Sequence, residues 1–308
     1  MEALIINNER PALVEAVIYD KWAAYIDASP KTIQTYTRAI KQFYSYLQAQ
    51  GISRPTREDI VAYREYLKKD HKPTTIQGYL EAVKLFFQWT EREGLYPNIA
   101  DRVKGVKLDR EHKKDYLTSN QTAALLDSID RTTLKGKRDY AILSLMVTTG
   151  LRTISIIRAN IEDIRTAGDA MALYYQGKGH EEKADYVKLA APVEKAIREY
   201  LKARGDAEGK EPLFISIAHR NTGERMTTRS ISRVAKEHLI AAGLNSDRLT
   251  AHSLRHTAAT LNLLNGGTVE ETQQLLGHAN INTTLIYSHA LERAQNESEN
   301  RIAAAIFG

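Results

Sequence analysis

Two long segments of this chain carry apolar residues at the 3.6-residue spacing of an amphipathic helix. The first lies between Thr32 and Gln50, and the second lies between Thr74 and Glu93. Their apolar positions are Ile33, Tyr36, Ile40, Phe43, Tyr44 and Leu47, and then Ile76, Tyr79, Leu80, Val83, Phe86 and Phe87. Such a face packs against other helices, because burial removes it from water. With two shorter predicted helices, over residues 11–28 and 57–69, the segments predict a compact four-helix module.

The rest of the chain predicts a second, different domain. Residues 97–117 are rich in charge and poor in apolar residues, so we expect a solvated linker that could also run along DNA. Beyond it, residues 171–189 predict two strands around a glycine-containing turn, and residues 213–216 predict a short strand. Helices are predicted over residues 118–128, 140–149 and 192–202 and again toward the end. We expect a mainly α fold with a small antiparallel β-sheet: an all-α domain over residues 11–96, an α+β domain over residues 118–290 and a tail helix over residues 291–308.

Length and composition limit the class of protein further. A chain of 308 residues suggests two domains at about 150 residues each. The absence of cysteine excludes disulfides and thiolate zinc sites, and it fits a reducing cytoplasm. The N-terminus lacks the basic and apolar regions of a signal peptide, and no run of about 18 apolar residues could span a membrane. We therefore expect a cytoplasmic protein, and its net charge of +5 favours a polyanionic partner.

Two segments of the second domain place a basic residue beside glycine. In TTGLR, Arg152 follows a predicted helix end at Gly150, where a charged residue is common without any function. In QGKG, Lys178 lies between Gly177 and Gly179 in the predicted turn, where a lysine is ordinarily just solvated. Neither segment indicates chemistry by itself.

Two later segments carry histidine. In HSLRH, His252 and Arg255 are three apart, so a helix places them on one face. His256 lies four residues after His252, which also fits a two-histidine metal pair, but the glutamate of HExxH is missing and Arg255 would repel a cation. In LLGHANINTTLIYSH, His278 follows a predicted helix end and Tyr287 comes nine residues later. Taken alone, Tyr287 is one of 16 tyrosines, most of which we expect to be packing residues.

In this order and spacing, the four segments resemble the catalytic domain of the tyrosine recombinases, the phage integrase family, over residues 117–290. The helical N-terminal part resembles the SAM-like core-binding domain of that family. The resemblance implies six catalytic residues: Arg152, Lys178, His252, Arg255, His278 and the nucleophile Tyr287. One position departs from the family pattern, because Ser155 stands where an acidic residue usually follows the first arginine by three positions. That departure bears on the rate of reaction rather than on the family.

The resemblance also implies a reaction. Tyr287 would attack a DNA phosphodiester to form a 3′-phosphotyrosine link, and another strand would reseal it by way of a Holliday junction, without cofactor, ATP or metal. The two arginines suit the phosphate, because guanidinium forks match its oxygens bidentately, and His278 would add a third donor. His252 is the candidate base for the tyrosine, and Lys178 is the candidate acid for the leaving 5′-hydroxyl.

The expected partner is a double-stranded DNA recombination site. Candidate contacts at helix starts and in the linker are Lys31, Thr32, Gln34, Lys72, Thr74, Thr75, Gln77, Lys104 and Lys107. The tail ends in an apolar tip, residues 302–307, which the family resemblance assigns to docking on a neighbouring subunit of a homo-tetramer on DNA. The alternative is docking on its own domain. An accessory DNA-bending protein is a further candidate partner, and no membrane is expected.

Two other functions stay open. A type IB topoisomerase would share the phosphotyrosine step without strand exchange, although the tail and the helical N-terminal module argue against it. A DNA-binding regulator without catalysis would also fit the fold, but Tyr287 and both arginines argue against it, and only Ser155 favours it. The motifs suit phage integration, transposon movement, integron activity and chromosome-dimer resolution equally.

Overall fold

The computed structural model describes residues 18, 20–108, 115–177, 182–294 and 296–308. The chain divides into two compact units, Met1–Glu111 and His112–Gly308. None of the helices in the described ranges combines the length and the hydropathy that crossing a bilayer requires.

The first unit contains the two amphipathic helices that the sequence predicts. The described helices are α1 (Pro30–Ala49), α2 (Arg57–Leu67) and α3 (Pro73–Arg92), and residues 20–25 are helical as well. Both long helices begin at a proline, which suits the first turn because that turn leaves its N–H groups unpaired. Ser29 caps α1 by accepting a hydrogen bond from the backbone N–H of Thr32. Most of the helix predicted over residues 11–28 lies outside the described residues.

Aromatic side chains form the core of the first unit. Phe43 of α1 meets Tyr63 of α2 and Phe87 of α3, with ring centroids 5.0 and 6.1 Å apart and the rings edge to face. Trp22 is fully buried and packs edge to face on Phe86 at 5.6 Å. These geometries are the favoured ones for aromatic pairs, so the apolar faces of the helices interlock.

The start of the expected linker packs against this first unit. Ala100 and Val103 are each 2% exposed and join its core. Arg64 donates from Nη1 to the carbonyl of Lys104 at 2.9 Å. Residues 100–106 of the expected linker thus pack on the first unit through Ala100, Val103 and Val106, while their charged neighbours stay exposed. Residues 109–114 of the expected linker lie outside the described residues.

The second unit combines helices with a three-stranded sheet. Its described helices are α4 (Ser119–Asp127), α5 (Leu134–Thr149), α6 (Thr153–Arg158), α7 (Ala191–Arg204), α8 (Thr228–Ala241), α9 (Ala251–Leu264), α10 (Val269–Leu276), α11 (Asn282–Ala294) and α12 (Ser298–Phe307), with a 3₁₀ turn at Ile161–Asp163. Thr118 caps α4 as predicted, because its side chain accepts from the N–H of Gln121. Helix α5 is buried along most of its length and packs against α7 and α9, which places it at the centre of the unit.

The sheet is antiparallel in the order β1 (Ile164–Ala167), β2 (Ala170–Tyr175) and β3 (Asp185–Lys188). The two strands predicted around the turn are confirmed as β2 and β3, and β1 is an additional strand. The strand predicted over residues 213–216 is wrong, because this stretch makes only an isolated bridge between Ile215 and Arg225. Strand β2 ends at Tyr175, and Lys178, which the sequence predicts to lie in a turn, is outside the described residues.

Candidate active site

Arg152 is placed by the sharp end of helix α5. Gly150 closes the helix in the left-handed conformation, with φ of 63°. A Cβ atom on Gly150 would lie 2.5 Å from Cδ2 of Leu276, so both the conformation and the packing require glycine. Leu151 is then buried, and the half-buried Arg152 occupies the N-cap position of α6 without a capping hydrogen bond from its side chain. The TTGLR pattern thus turns the chain so that Arg152 begins a new helix.

Arg255 is buried in α9, with 4% of its surface exposed. Its Nη1 donates to the carbonyl of Gly150 at 2.5 Å, and its Nη2 donates to the carbonyl of Leu276 at 2.7 Å. Burial first, and then the positive charge of Arg152, lower the pKa of Arg255 to about 10. The guanidinium has five N–H groups, so three remain for a phosphate after the two carbonyls are satisfied.

His278 follows the left-handed Gly277 that ends α10. Its Nδ1 lies 2.8 Å from the Oγ1 of Thr284, and its carbonyl accepts from Nε2 of Gln273 at 2.9 Å. Burial first, and then the charges of Arg255 and Arg152, lower the pKa of His278 to about 4. The imidazole is therefore neutral near pH 7. If Thr284 donates to Nδ1, the proton is on Nε2, which can then donate to an anion.

Tyr287 lies on α11 with 6% of its surface exposed. It packs against Ala259 and Leu276 in a small apolar cluster. Burial raises the pKa of the Tyr287 phenol, while the charges of Arg255 and Arg152 oppose that rise. The phenol is thus protonated at neutral pH and must lose its proton before it can act as a nucleophile.

His252 completes the group of predicted residues that the fold assembles. It is exposed on α9, and its electrostatic interaction with His278 is the smallest of the causes that lower the pKa of His278. Of the six predicted catalytic residues, the structure gathers five at the meeting of α5, α9, α10 and α11: Arg152, His252, Arg255, His278 and Tyr287. Lys178 lies outside the described residues, and its role stays a prediction.

The sequence gives little sign of two further residues at this site. Tyr175 is the last residue of β2 and is 5% exposed, and its Oη would lie 3.0 Å from a Cβ on Gly277. Burial and then Asp185 raise the pKa of Tyr175, whereas Arg255 and Arg152 lower it. The second residue is His256, whose imidazole ring contacts the rings of both His252 and Tyr287. Only the aromatic pair before the QGKG turn and the second histidine of HSLRH point to them.

Comparison with known proteins decides the family. The model of the "Phage integrase family" matches residues 115–293, and that of the "Phage integrase, N-terminal SAM-like domain" matches residues 19–95. This chain belongs to the phage integrase family. It is therefore a tyrosine-type site-specific recombinase with the two domain types that its sequence predicts.

Similar proteins cover most of the chain. Tyrosine recombinase XerC of Pelobacter propionicus is 32% identical over 85% of this chain and 85% of its own length. Tyrosine recombinase XerC of Caldanaerobacter subterraneus subsp. tengcongensis is 34% identical over 66% of this chain but only 55% of its own length. The chain thus matches only about half the length of the Caldanaerobacter protein.

Solved recombinase structures share the fold. The XerH site-specific recombinase, bound to a palindromic difH substrate in a post-cleavage complex, superposes with a TM-score of 0.73 at 21% identity, covering 93% of this chain and 85% of that one. A lambda integrase tetramer bound to a Holliday junction superposes with a TM-score of 0.68 at 18% identity, covering 89% and 76%. Both likenesses extend over the two domains.

The position where the family usually carries an acid lies inside this recombinase fold. Ser155 is 4% exposed, and its Oγ donates a long, 3.4 Å hydrogen bond to the carbonyl of Gln176 at the end of β2. Arg158 donates to the side-chain Oε1 of the same Gln176 at 2.8 Å. Helix α6 is therefore tied to β2 by neutral and cationic donors. Within the described residues, no group of three or more His, Cys, Asp or Glu side chains is arranged as metal ligands.

The candidate DNA contacts of the first unit lie at the helix starts, as the sequence places them. Lys31 and Gln34 are exposed near the start of α1 and bond to each other at 3.0 Å. Lys72 is the exposed N-cap of α3. Gln77 is only half exposed, and its Oε1 accepts from the N–H of Val106 at 3.3 Å, so it holds the chain after α3. The remaining candidates are Thr32 and Thr75, both half-buried, and Thr74, Lys104 and Lys107, all exposed.

Proposed function

We propose that this recombinase cleaves and rejoins DNA strands through a 3′-phosphotyrosine link to Tyr287 and a Holliday junction. One observation carries the proposal: the buried Tyr287 phenol lies within the electrostatic influence of both Arg152 and Arg255. A tyrosine that only packs in a core has no need of two cations beside it, because burying a cation such as Arg255 is costly.

The two arginines would bind the scissile phosphate. Attack on a phosphodiester builds negative charge on its oxygens, and fixed cationic donors at that place give the largest contribution to rate. The carbonyls of Gly150 and Leu276 fix the side chain of Arg255. Its remaining N–H groups would therefore be oriented before a phosphate binds, and no side-chain entropy would be lost at that step. The mutual repulsion of the two guanidinium groups in the DNA-free protein would be relieved when a phosphate binds between them. Neutral His278 would supply a third donor.

Proton transfer accounts for the remaining roles. His252 is the exposed histidine of the site and would accept the phenol proton of Tyr287. Lys178, in the turn that the sequence predicts, would protonate the leaving 5′-hydroxyl. The phosphotyrosine link conserves the energy of the broken bond, so a 5′-hydroxyl of another strand can reseal it. The proposed cycle therefore requires neither ATP nor a metal ion.

Assembly on DNA would depend on the tail. Helix α12 has no buried residue, and its large exposed apolar side chains are Ile302, Ile306 and Phe307, which are 59, 66 and 85% exposed. Exposed apolar residues in one short helix favour a protein partner. We propose that α12 docks on a second copy of the chain to build a homo-tetramer on two paired recombination sites, with an accessory DNA-bending protein where the site demands one.

Trapping on a nicked suicide substrate tests the function. Cleavage of this substrate releases a short strand that carries the 5′-hydroxyl needed for resealing. Because that strand diffuses away, the protein should accumulate as a covalent adduct with DNA. Tyr287→Phe should abolish the adduct and leave site binding intact, whereas the matched control Tyr186→Phe, at an exposed tyrosine of β3, should form it normally. Adduct formation by the Tyr287→Phe variant would refute the assignment. Relaxation of plasmids that lack a recombination site would favour a topoisomerase instead.

A further inference from the structure

Three aromatic rings contact one another in series from the surface to the buried Tyr287. His252 and His256 lie one turn apart on α9, with ring centroids 4.6 Å apart and planes at 87°. The ring of His256 then lies 5.2 Å from the ring of Tyr287, at 52°. His252 is exposed, but His256 is 5% exposed and Tyr287 is 6% exposed. His256 is thus the buried residue in ring contact with both the proposed base and the proposed nucleophile.

The other described neighbours of Tyr287 in its cluster are aliphatic. Ala259, Leu276 and the partly buried Leu263 exclude water from the phenol but favour no particular angle of its ring. Aromatic pairs at this separation do favour particular angles, because the edge of one ring carries positive charge and the face of another carries negative charge. His256 therefore supplies directional packing that the aliphatic side chains do not.

The position of His256 on α9 also fixes where its ring lies relative to Tyr287. Helices α9 and α11 pack against each other, and the contact between His256 and Tyr287 lies at that junction. His256 directly follows Arg255, whose side chain is fixed by the carbonyls of Gly150 and Leu276. The backbone that carries His256 is therefore anchored at the phosphate-binding end, so its ring is a fixed reference for the phenol.

We propose that His256 is a positioning residue for strand cleavage, whose ring sets the orientation of Tyr287 with respect to His252 and the two arginines. It acts through Tyr287 and does not itself touch DNA or carry the proton. The inference rests on the proposed function, because an oriented phenol matters only if Tyr287 is the nucleophile.

The test compares ring and non-ring substitutions in the full chain. His256→Phe keeps a planar ring without nitrogen, His256→Leu keeps apolar bulk without a ring, and His256→Gln keeps polarity without a ring. For each variant, affinity for one recombination site is measured by mobility shift. The rate of adduct formation is then measured on a nicked suicide substrate at saturating protein, and thermal unfolding checks the fold.

We expect the split between binding and cleavage that a positioning role requires. His256→Leu and His256→Gln should bind the site within about twofold of wild type and cleave about tenfold more slowly, because an aromatic contact is lost and the phenol samples other angles. His256→Phe should restore cleavage to within about threefold of wild type. If the leucine variant does not fold, the glutamine variant provides the same comparison.

Each contrary outcome has one meaning. Cleavage by the leucine or glutamine variant at the wild-type rate would overturn the proposal, because the ring would then be dispensable. Cleavage by the phenylalanine variant as slow as by the leucine variant would also overturn it, since a ring nitrogen would be the active feature. Absence of adduct with the wild-type protein would instead refute the proposed function itself.

Discussion

The guanidinium of Arg255 donates a 2.5 Å hydrogen bond to the carbonyl oxygen of Gly150, 105 residues earlier in the chain. Its second bond, to the carbonyl of Leu276, reaches the last residue of α10. Helices leave their final carbonyls without partners inside the helix, so one buried side chain satisfies two helix ends. The same contacts fix the spacing of Arg152, which follows Gly150, and of His278, which follows Leu276 by two residues. Stability and the geometry of the proposed active site therefore both involve one guanidinium.

Substitution of the two arginines by lysine should separate these roles. Arg255→Lys should lower the free energy of unfolding by about 2–3 kcal/mol, because an ammonium group cannot span both carbonyls and one buried acceptor loses its charged donor. Arg152→Lys should change it by less than about 1 kcal/mol, because Arg152 is only half-buried and makes no side-chain hydrogen bond within the described ranges. Both should slow adduct formation by orders of magnitude. Urea unfolding and suicide-substrate trapping measure the two quantities, and equal loss of stability would contradict this division.

Alanine substitutions at Gly150 and Gly243, two glycines with left-handed backbone, separate the cost of backbone strain from the cost of overpacking. Gly150→Ala combines a left-handed backbone with a Cβ 2.5 Å from Leu276, whereas Gly243→Ala, with φ of 75°, meets nothing within 4 Å. We expect Gly243→Ala to cost about 1 kcal/mol of stability from the backbone alone. Gly150→Ala should cost about 2–4 kcal/mol, because overpacking adds to the same strain, and it should also slow cleavage. Denaturant unfolding of both variants checks the difference, and similar costs would argue against a packing role.

The helices were predictable because their signal is local. The 3.6-residue spacing places the apolar faces of α1 and α3 to within two residues at each end. Strand β1 was missed because Ile164–Ala167 has no alternation of exposure, since both ends are half-buried and the two central residues are exposed. The segment over residues 213–216 looked like a strand because it is apolar, but its backbone pairs only through isolated bridges. Apolar composition alone does not distinguish a strand from other buried chain.

The sequence predicts those residues of the candidate site that lie in the four motifs. Order and spacing along the chain single out Arg152, Arg255 and Tyr287, and the fold brings them together. Contacts that arise only through folding, such as those of Tyr175 with the Gly277 turn and of His256 with Tyr287, leave little trace in the sequence. They depend on which helix ends meet, and local pattern does not determine that.

His278 should make stability depend on pH. Its pKa in the fold is about 4, below the 6.5 of an unperturbed histidine, so the unfolded chain binds more protons between these values. Stability therefore rises with pH from about 4 to about 6.5 and is lost as the pH falls through that window. Between pH 7.5 and pH 5, the wild type should lose about 1 kcal/mol more than His278→Asn, a figure that allows for partial exposure to solvent. Urea unfolding at both pH values measures it, and the same pH response in both proteins would contradict the burial of a neutral imidazole.

Ser155 offers a test of the departure from the family pattern. Its hydroxyl makes one long hydrogen bond, 3.4 Å from the carbonyl of Gln176, so its removal should matter little. We expect Ser155→Ala to keep stability within about 0.5 kcal/mol and adduct formation within about threefold of wild type. The rate of adduct formation on the nicked suicide substrate, compared between Ser155→Ala and wild type, tests this prediction. A large loss of cleavage would show that the serine hydroxyl itself supports the neighbouring groups.

The tail should control assembly more than binding. Deletion of residues 300–308, or replacement of Ile302, Ile306 and Phe307 by serine, removes the exposed apolar side chains of α12. Affinity for a single half-site should stay within about twofold, whereas cooperative occupation of a full site should fall at least about tenfold, since each buried apolar side chain contributes about 1.5–3 kcal/mol. Arg301→Ala, at an exposed polar position of the same helix, is the matched control and should leave cooperativity unchanged. Mobility shifts on half-site and full-site DNA give both constants. Equal loss on the two substrates would mean that α12 supports its own domain, because docking on a neighbour can affect only the site that holds two copies.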